Sequence, residues 1–272
     1  GTHIWPETLR RIKKKIKTVL VSYNNDDPFS PLYANSSYLF QRRRWRLFNS
    51  AIPEYDIHFV YRPINIKDFK KAGAKRVNLL LPYYIPERNK PIILDHDAKK
   101  FYECDVVFIG HYEPDRRLEC LKALIDAGFS VRLFGTGWTK KTLGSYFKTL
   151  SPVYPVRGEN YSMAISGAKA ALAFFSKLNR DTFTRRTFEI PATQTVMISE
   201  YSDDVANFFI EGKEALFFSS PEELVKKTTW LLDNKKRMDS IASAGRERCI
   251  RDGHDVQSRM EKMMECIGKL KL

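Results

Sequence analysis

A group of basic residues with two carboxylates follows a strongly apolar segment in the middle of the chain. The apolar run KAALAFFS (169–176) leads directly to Lys177, Asp181, Arg185, Arg186 and Glu189. Because an arginine can hold two phosphate oxygens and a helix start adds a favourable field, cations at a strand-to-helix junction suit a diphosphate. A nearby carboxylate can then accept the hydroxyls of a ribose. Ordinary ion pairs on a helix face are the alternative that spacing alone leaves open.

Two earlier loops contain glycines at the ends of apolar runs. In FIGHYEPDRR, Gly110 precedes Arg116; in LFGTGW, Gly135 and Gly137 precede Trp138. Glycine lets a backbone approach a phosphate, the helix start that follows favours an anion, and Trp138 could cover a ligand. A plain tight turn explains the first loop equally well. The G-x-G spacing lacks the rest of the dinucleotide fingerprint and is weak support for a nicotinamide site.

Other acidic and imidazole side chains are weaker catalytic candidates. Asp26 and Asp27 follow the first predicted strand in YNNDDPF, where they could hold Mg²⁺ or supply an acceptor-side base. An N-N-D-D-P run is more often a turn and helix-cap device. Among the histidines, His111 is the one expected near a donor ligand, because it directly follows Gly110.

Short apolar runs alternate with helical patterns along the chain and predict the elements that position these loops. The alternation is typical of an α/β fold with parallel, doubly wound sheets that carry helices on both faces. In such sheets a ligand lies at the carboxyl ends of the strands, where these loops begin. The predicted strands are residues 17–23, 56–61, 76–81, 104–110, 129–135, 169–176, 195–199 and 214–219.

A proline-rich and charged segment, residues 82–97, separates two groups of predicted strands and has little periodicity of its own. It predicts a linker between a first domain, residues 1–95, and a second domain, residues 96–272. Only about three predicted strands precede it.

The chain is strongly basic, and most of the excess lies in its first third. Its 272 residues carry 46 Lys and Arg against 32 Asp and Glu, a formal net charge of +14. Residues 1–100 hold 20 basic and 9 acidic residues, with dense runs at 10–17 and 41–46. Nucleic acid, an anionic membrane or a phosphate-bearing small molecule would be attracted there, with Trp5 and Trp45 available at an interface. A solvated helix face is the alternative.

The cysteines and the apolar segments indicate a reducing compartment. The four cysteines are far apart and have no histidine at metal-ligand spacing, which disfavours a disulfide scaffold and a zinc site. No segment reads as a signal peptide or reaches the length of a membrane span. We expect a cytoplasmic protein whose membrane contact, if present, is peripheral and at the inner face.

Several motifs in order resemble one family. The runs CDVVFIGHYEPDRR, VRLFGTGW, EIPATQTVMISEYSDDV and ASAGRERCIRDGHDV resemble the CgeB-like (spore-maturation type) glycosyltransferases of the group-one GT-B superfamily. The resemblance is strong over residues 104–264 and weaker before them. It implies two Rossmann-like lobes, a nucleotide-diphosphate sugar bound to the second lobe, an acceptor facing the first, and a reaction without metal or other cofactor. It also implies six or seven strands for a complete first lobe, about twice the number that precede the predicted linker. The first lobe is therefore expected to be incomplete, through truncation or as a naturally reduced form.

The resemblance also assigns residues. Related group-one enzymes contact the donor sugar and the ribose through two spaced acidic residues, whose positions correspond to Asp181 and Glu189. Gln194 stands where those enzymes have glycine. No catalytic base is assigned beyond the candidates above. The implied donor-binding set is Gly110, Arg116, Gly135, Gly137, Trp138, Lys177, Asn179, Asp181, Arg185, Arg186, Thr187, Phe188 and Glu189.

Together these observations predict a metal-independent glycosyltransferase that moves a sugar from a nucleotide-diphosphate sugar to a glycan or lipid-linked acceptor in surface or secreted glycan synthesis. Two alternatives stay open. The short first lobe would suit a nucleotide-sugar-binding module without turnover. The basic first third would suit a protein that binds a membrane surface or nucleic acid, the latter being the less favoured partner.

Overall fold

The computed structural model describes residues 4–31 and 39–270, except for the side chains of residues 39–42 and 44. Arg42 and Arg44 of the second basic run therefore lie outside the described side chains. The chain divides into two compact units: residues 1–82, 176–181 and 257–272 form the first, and residues 83–175 and 182–256 form the second. This division differs from the boundary predicted at residue 95, because the expected linker packs within the second unit and two later segments return to the first.

The first unit contains a small parallel sheet. Its strands pair in the order β1 (Val21–Asn24), β2 (Ile57–Val60) and β3 (Val77–Leu79), with Ser22 beside His58 and His58 beside Val77. Flanking helices are α1 (Pro6–Lys15), α2 (Leu39–Ala51), α3 (Pro63–Lys71) and the C-terminal helix (Val256–Gly268). Proline at the first turn of α1 and α3 has its φ already set for a helix.

Apolar side chains cover both faces of this sheet. On one face Trp45 and Phe69 pack in a cluster with Val60. On the other face Phe59 packs in a cluster that includes Ile267 of the C-terminal helix. That apolar contact is the reason why the end of the chain belongs to the first unit. Trp45 is 4% exposed and lies in the core, so the expectation that it is available at an interface is wrong.

The second unit contains a five-stranded parallel sheet. Its strand order is β5 (Val131–Phe134), β4 (Cys104–Ile109), β6 (Ala168–Ala173), β7 (Val196–Glu200) and β8 (Leu216–Phe218). Most residues of the three central strands are buried, because helices cover both faces. Those helices are α4 (His96–Tyr102), α5 (Arg117–Asp126), α6 (Lys140–Leu143), α7 (Phe147–Leu150), α8 (Glu159–Ser166), α9 (Arg186–Ala192), α10 (Asp203–Phe208), α11 (Pro221–Leu232) and α12 (Lys235–Arg251).

Short polar side chains fix several helix starts in this unit. The hydroxyls of Ser202 and Ser220 and the amide oxygen of Asn234 each accept a hydrogen bond from a backbone N–H in the first turn of α10, α11 and α12. A cap of this kind contributes about 0.5–2 kcal/mol.

The predicted α/β class with parallel sheets is confirmed.

Helix α9 ends in a left-handed residue that is not glycine. Gln194 has φ 58°, is exposed, and its N–H donates to the Pro191 carbonyl. Gln194→Gly should relieve about 1–2 kcal/mol of backbone strain and lose about 0.5–1 kcal/mol to the greater freedom of the unfolded chain. We expect a net gain of about 0.5–1 kcal/mol in the free energy of unfolding, measured by thermal unfolding. Gln257→Gly, at an exposed helical position, is the matched control and should give no gain.

Candidate functional site

In the second unit, the chain continues from β4 toward one edge of the sheet and from the neighbouring strand β6 toward the other edge. Strand β4 pairs with β5 on one side and with β6 on the other. In parallel sheets this switch point leaves a crevice at the carboxyl ends of the two strands, and ligands bind there. Helix α9, which follows β6 in the chain, contributes Arg186, whose Nε donates a 2.5 Å hydrogen bond to the Ile109 carbonyl at the end of β4.

A cleft of about 360 Å³ contains this arginine. Three parts of the second unit form its walls: the segment predicted as a linker, the loop leading into α8, and α9. The lining residues are Ile85, Arg88, Asn89, Val156, Arg157, Gly158, Tyr161, Arg185, Arg186 and Glu189.

Glu189 is held by two neighbours inside this cleft. Its side chain is 13% exposed; the Tyr161 hydroxyl donates a 2.8 Å hydrogen bond to Oε2, and Arg185 Nε lies 3.1 Å from Oε1. The Arg185 guanidinium also lies over the ring of Tyr83 at 4.7 Å. Burial, followed by the Glu189 charge, raises the pKa of Tyr161 well above its usual value. The phenol therefore keeps its proton and remains a donor to the carboxylate.

The charge of the cleft is strongly positive. Four arginines, Arg88, Arg157, Arg185 and Arg186, line it together with a single carboxylate, Glu189. Arg88 and Arg157 are exposed, so their guanidinium groups can turn toward a ligand. Such a surface attracts an anion with several oxygens. The carboxylate supplies acceptors for hydroxyl groups within the same cleft.

The segment predicted as a linker is a fixed wall of the cleft. Asn89 is 5% exposed and its side-chain oxygen accepts a 2.8 Å hydrogen bond from the Ile85 N–H. Ser162 of α8 donates to the Arg88 carbonyl, and Ile92 N–H donates to Ser166. These hydrogen bonds tie residues 85–92 to α8.

The two glycines at the ends of β4 and β5 permit close packing of the protein with itself. A Cβ atom on Gly110 would lie 2.6 Å from Phe108 Cζ and 3.2 Å from Arg186 Nη2. A Cβ atom on Gly135, which has φ 142°, would lie 1.9 Å from the Gly110 carbonyl oxygen. Gly110 therefore leaves room for Arg186, and Gly135 leaves room for the neighbouring loop.

Several other predicted donor residues lie in the core. Trp138 is 7% exposed and its indole N–H donates a 2.8 Å hydrogen bond to the Gly110 carbonyl, so its ring does not cover a ligand. Thr187 and Phe188 are fully buried: the Thr187 hydroxyl caps Thr184 N–H, and the Phe188 ring stacks on His254 at 4.2 Å. All three side chains are buried in the core of the second unit and do not line the cleft.

The remaining candidates of the second unit point elsewhere. Arg116 donates to the Ser219 carbonyl after β8 and lies 3.7 Å from Glu119. The His111 side chain is 58% exposed and its Nε2 lies 2.8 Å from Glu113 Oε1. Gly137 has φ 79° next to Tyr112. None of these three lines the cleft around Glu189.

Lys177, Asn179 and Asp181 belong to the first unit, within its segment 176–181. Asp181 forms a buried ion pair with Arg62, with 2.5 Å from Oδ1 to Nη2 and side chains 7% and 3% exposed. The Asn179 side-chain oxygen accepts a hydrogen bond from the Asp27 N–H. Lys177 is exposed at the start of a turn closed by Arg180.

Asp27 is the buried partner of a second ion pair, whose arginine, Arg180, is 26% exposed. It is 0% exposed, and both carboxylate oxygens accept from the Arg180 guanidinium, which also donates to Asp68 at 2.7 Å. Oδ1 further accepts from Asn65 and from the Phe29 N–H, the hydrogen bond of a turn. Asp27 is therefore a structural turn residue, and the expectations of a metal ligand or an acceptor-side base do not fit its geometry. Asp26 donates its N–H to Asn24 in the same turn.

A second, larger cleft of about 690 Å³ lies at the amino ends of β4 and β6. Its lining includes Glu103, Asp105 and Asp239 against Lys169. This negative balance would repel phosphates, so the cleft around Glu189 is the better ligand site.

Sequence reasoning missed Arg88, Asn89, Val156, Arg157 and Tyr161 as cleft residues. Arg88 and Asn89 lie in the segment predicted as a linker. Val156 and Arg157 precede a glycine before a helix, a signal comparable to the glycine loops that end at Gly110 and Gly135. Tyr161 carries no signal in the sequence, because it reaches Glu189 from 28 residues away.

Residues 4–31 and 39–270 contain no group of three or more described His, Cys, Asp or Glu side chains placed to hold a metal ion. No helix in these ranges has the length and apolar character needed to cross a membrane.

A family model described as "Glycosyl transferase-like" matches residues 116–265, more than half of the chain, including α9 and Glu189. The chain belongs to this family of glycosyltransferases. No curated protein sequence matches this glycosyltransferase significantly.

Solved structures resemble the glycosyltransferase over almost its whole length. HepE of Anabaena in complex with UDP superposes with a TM-score of 0.70 at 13% identity, covering 97% of this chain and 77% of HepE. The complex of HepE with UDP-glucose gives 0.67 at 15%, covering 97% and 77%. Sucrose-phosphate synthase of Thermosynechococcus elongatus gives 0.68 at 13%, covering 97% and 71%. At such identities the likeness concerns the fold, which is GT-B.

Proposed function

We propose that the cleft around Glu189 binds a nucleotide-diphosphate sugar and that this glycosyltransferase uses it as the donor. The observation that carries the proposal is the combination of four arginines with one hydrogen-bonded carboxylate at the switch point of the sheet. The arginines match the charge of a diphosphate, and Glu189 matches the two hydroxyls of a ribose. HepE, which shares the fold, is described in complex with UDP and with UDP-glucose.

The chemistry follows from the leaving group. Transfer breaks the bond between the anomeric carbon and the diphosphate oxygen, forms a bond from that carbon to an acceptor oxygen, and leaves negative charge on the nucleoside diphosphate. Fixed cations stabilise this charge more in the transition state than in the ground state. Arg185 and Arg186, which line the cleft at the start of α9, are the residues we assign to it. We propose that they do so without a metal or other cofactor.

The proposed acceptor is a glycan or a lipid-linked saccharide in surface or secreted glycan synthesis. We place the enzyme in the cytoplasm, in peripheral contact with the inner face of a membrane. The supporting observation is the concentration of basic residues in the first third of the chain. Anionic lipids attract such residues over about one Debye length.

One observation favours a second candidate, a nucleotide-sugar-binding module without turnover. Asp181, at the position that the family resemblance assigns to the donor sugar, is occupied by its buried ion pair with Arg62. Release of free sugar from the donor by the purified protein would contradict this candidate. In the enzyme, Arg185→Ala with Arg186→Ala should lower that release about 100- to 1,000-fold.

The proposed donor is tested by thermal unfolding with a panel of UDP-, GDP-, TDP- and ADP-sugars, each with and without Mg²⁺. A ligand at about 100 times its dissociation constant adds about 2.7 kcal/mol, which corresponds to a midpoint shift of roughly 5–10 °C. We expect one nucleotide to give this shift, independently of Mg²⁺. No shift with any donor would contradict the proposed site, and a shift only with Mg²⁺ would contradict the metal-free mechanism.

A further inference from the structure

Exposed cations from three parts of the chain lie at the amino ends of the strands in the first unit's sheet, which we call its amino edge. Helix α1 ends just before β1, helix α3 ends just before β3, and the C-terminal helix ends beside them. Eight exposed basic residues lie at these ends: Lys14, Lys15, Lys17, Lys70, Lys71, Lys75, Arg76 and Lys269. We call this set the amino-edge patch.

Contacts around Asp56 show that these helix ends converge. Lys13 Nζ lies 2.5 Å from Asp56 Oδ1. Burial raises the pKa of Asp56, but the Leu20 N–H and the charges of Lys13 and Lys75 outweigh it and hold the pKa below its usual value. A shallow cleft of about 260 Å³ joins the same elements and is lined by Lys13, Ile16, Lys17, Thr18, Val19, Asp56, Arg76 and Leu270. Asp56 is the one acidic residue in that lining.

An exposed aliphatic residue lies among these cations. Ile16 follows α1, is 57% exposed and lines the cleft beside Lys17 and Arg76. Nucleic-acid phosphates would need only the cations, and an exposed isoleucine contributes little to binding them. The boundary between lipid head groups and acyl chains accommodates both, because lysine ammonium groups meet anionic head groups while an apolar side chain enters the interface.

We propose that the amino-edge patch is the surface by which this protein docks on a bilayer containing anionic lipid, with Ile16 inserted at the interface. The inference rests on the membrane contact in the proposed function and assigns it to particular residues. The patch lies at the opposite edge of the sheet from the carboxyl ends of β1 to β3. Docking therefore leaves the edge at which ligands of parallel sheets bind free of lipid.

The test is sedimentation of the full chain with vesicles of phosphatidylcholine, with and without phosphatidylglycerol, at low and high salt. We expect binding only to the anionic vesicles and a steep loss with salt. Replacing Lys14, Lys15 and Lys17 by Gln should weaken binding about tenfold or more. Ile16→Ser should weaken it without changing the net charge.

Two matched controls decide whether the location matters. Replacing Lys140, Lys141 and Lys148, exposed in the second unit, by Gln removes the same charge and should leave vesicle binding unchanged. Trp5→Ser removes an exposed apolar side chain at the other end of α1 and should also have no effect. Equal losses in the controls, or tighter binding to a DNA or RNA duplex than to anionic vesicles, would overturn the proposal.

The donor panel separates this inference from the proposed function. The variant lacking Lys14, Lys15 and Lys17 should keep the thermal shift of the wild-type protein with the donor. If the protein binds anionic vesicles but no donor, the proposed docking surface is supported and the proposed donor site is contradicted. If the donor binds and anionic vesicles do not, the docking surface fails alone.

Discussion

Glu189→Ala is expected to raise the dissociation constant for the nucleotide-diphosphate sugar by about 10- to 100-fold. Hydrogen bonds to a charged partner contribute about 1.5–3 kcal/mol, and among the described residues that line the cleft the substitution removes the only carboxylate. It also releases the Tyr161 hydroxyl and Arg185, which Glu189 holds at 2.8 Å and 3.1 Å. Isothermal titration with the donor found in the thermal panel measures the change.

Three further variants make this result specific to the carboxylate. Glu189→Gln keeps an acceptor and should lose less affinity than Glu189→Ala. Tyr161→Phe should show a smaller loss, because it removes one hydrogen bond to Glu189 and leaves the carboxylate in place. Glu247→Ala, an exposed carboxylate on α12, should bind as the wild type does. An unchanged dissociation constant for a folded Glu189→Ala would remove this residue from the donor site.

Arg180→Ala is expected to lower the free energy of unfolding by about 3–5 kcal/mol. The substitution leaves Asp27, which is 0% exposed, as a buried carboxylate without its cation. The remaining hydrogen bonds from Asn65 and the Phe29 N–H do not replace a full positive charge. Urea unfolding of the full chain measures the loss.

The double variant Arg180→Ala with Asp27→Asn tests the cause. A neutral amide at position 27 no longer needs a cation, so the double variant should be more stable than Arg180→Ala alone. Arg10→Ala is the matched control, because Arg10 is 48% exposed and forms surface ion pairs with Glu7 and Glu54. It should cost no more than about 1 kcal/mol. A loss of no more than about 1 kcal/mol in Arg180→Ala would mean that the pairing of Arg180 with the buried Asp27 contributes no more than a surface ion pair.

Local patterns were sufficient to predict the elements of this fold. The eight predicted runs each overlap a strand, because buried strands of a parallel sheet read as continuous apolar segments. The rule that ligands lie at the carboxyl ends of strands led to Arg185, Arg186 and Glu189, which the structure brings together in one cleft. The four-residue spacing of Glu189 from Arg185, which directly precedes α9, places both side chains on the same side of the helix.

Ion pairs between residues far apart in the chain could not be predicted from the sequence. Asp181 was assigned to the donor sugar, but its partner Arg62 lies 119 residues earlier in the chain. Asp27 was a candidate base, and its partner Arg180 lies 153 residues later. Residue spacing indicates which side chains are neighbours on one helix or strand. It does not indicate which side chains folding brings together from distant segments. Charged residues at a strand end are therefore weaker site indicators than their type suggests, until their ion-pair partners are known.

Two later segments, residues 176–181 and 257–272, belong to the first unit, and this limits how the gene can recombine with that of a relative. A single recombination event near residue 82 would join a new amino-terminal portion to an old segment 176–181 and an old C-terminal helix. The incoming sheet would then meet foreign partners where Phe59 now packs with Ile267 and where Asp27 now pairs with Arg180. We therefore expect the two units to be inherited together, because exchange of the whole first unit between relatives requires four crossovers, one at each boundary between the units.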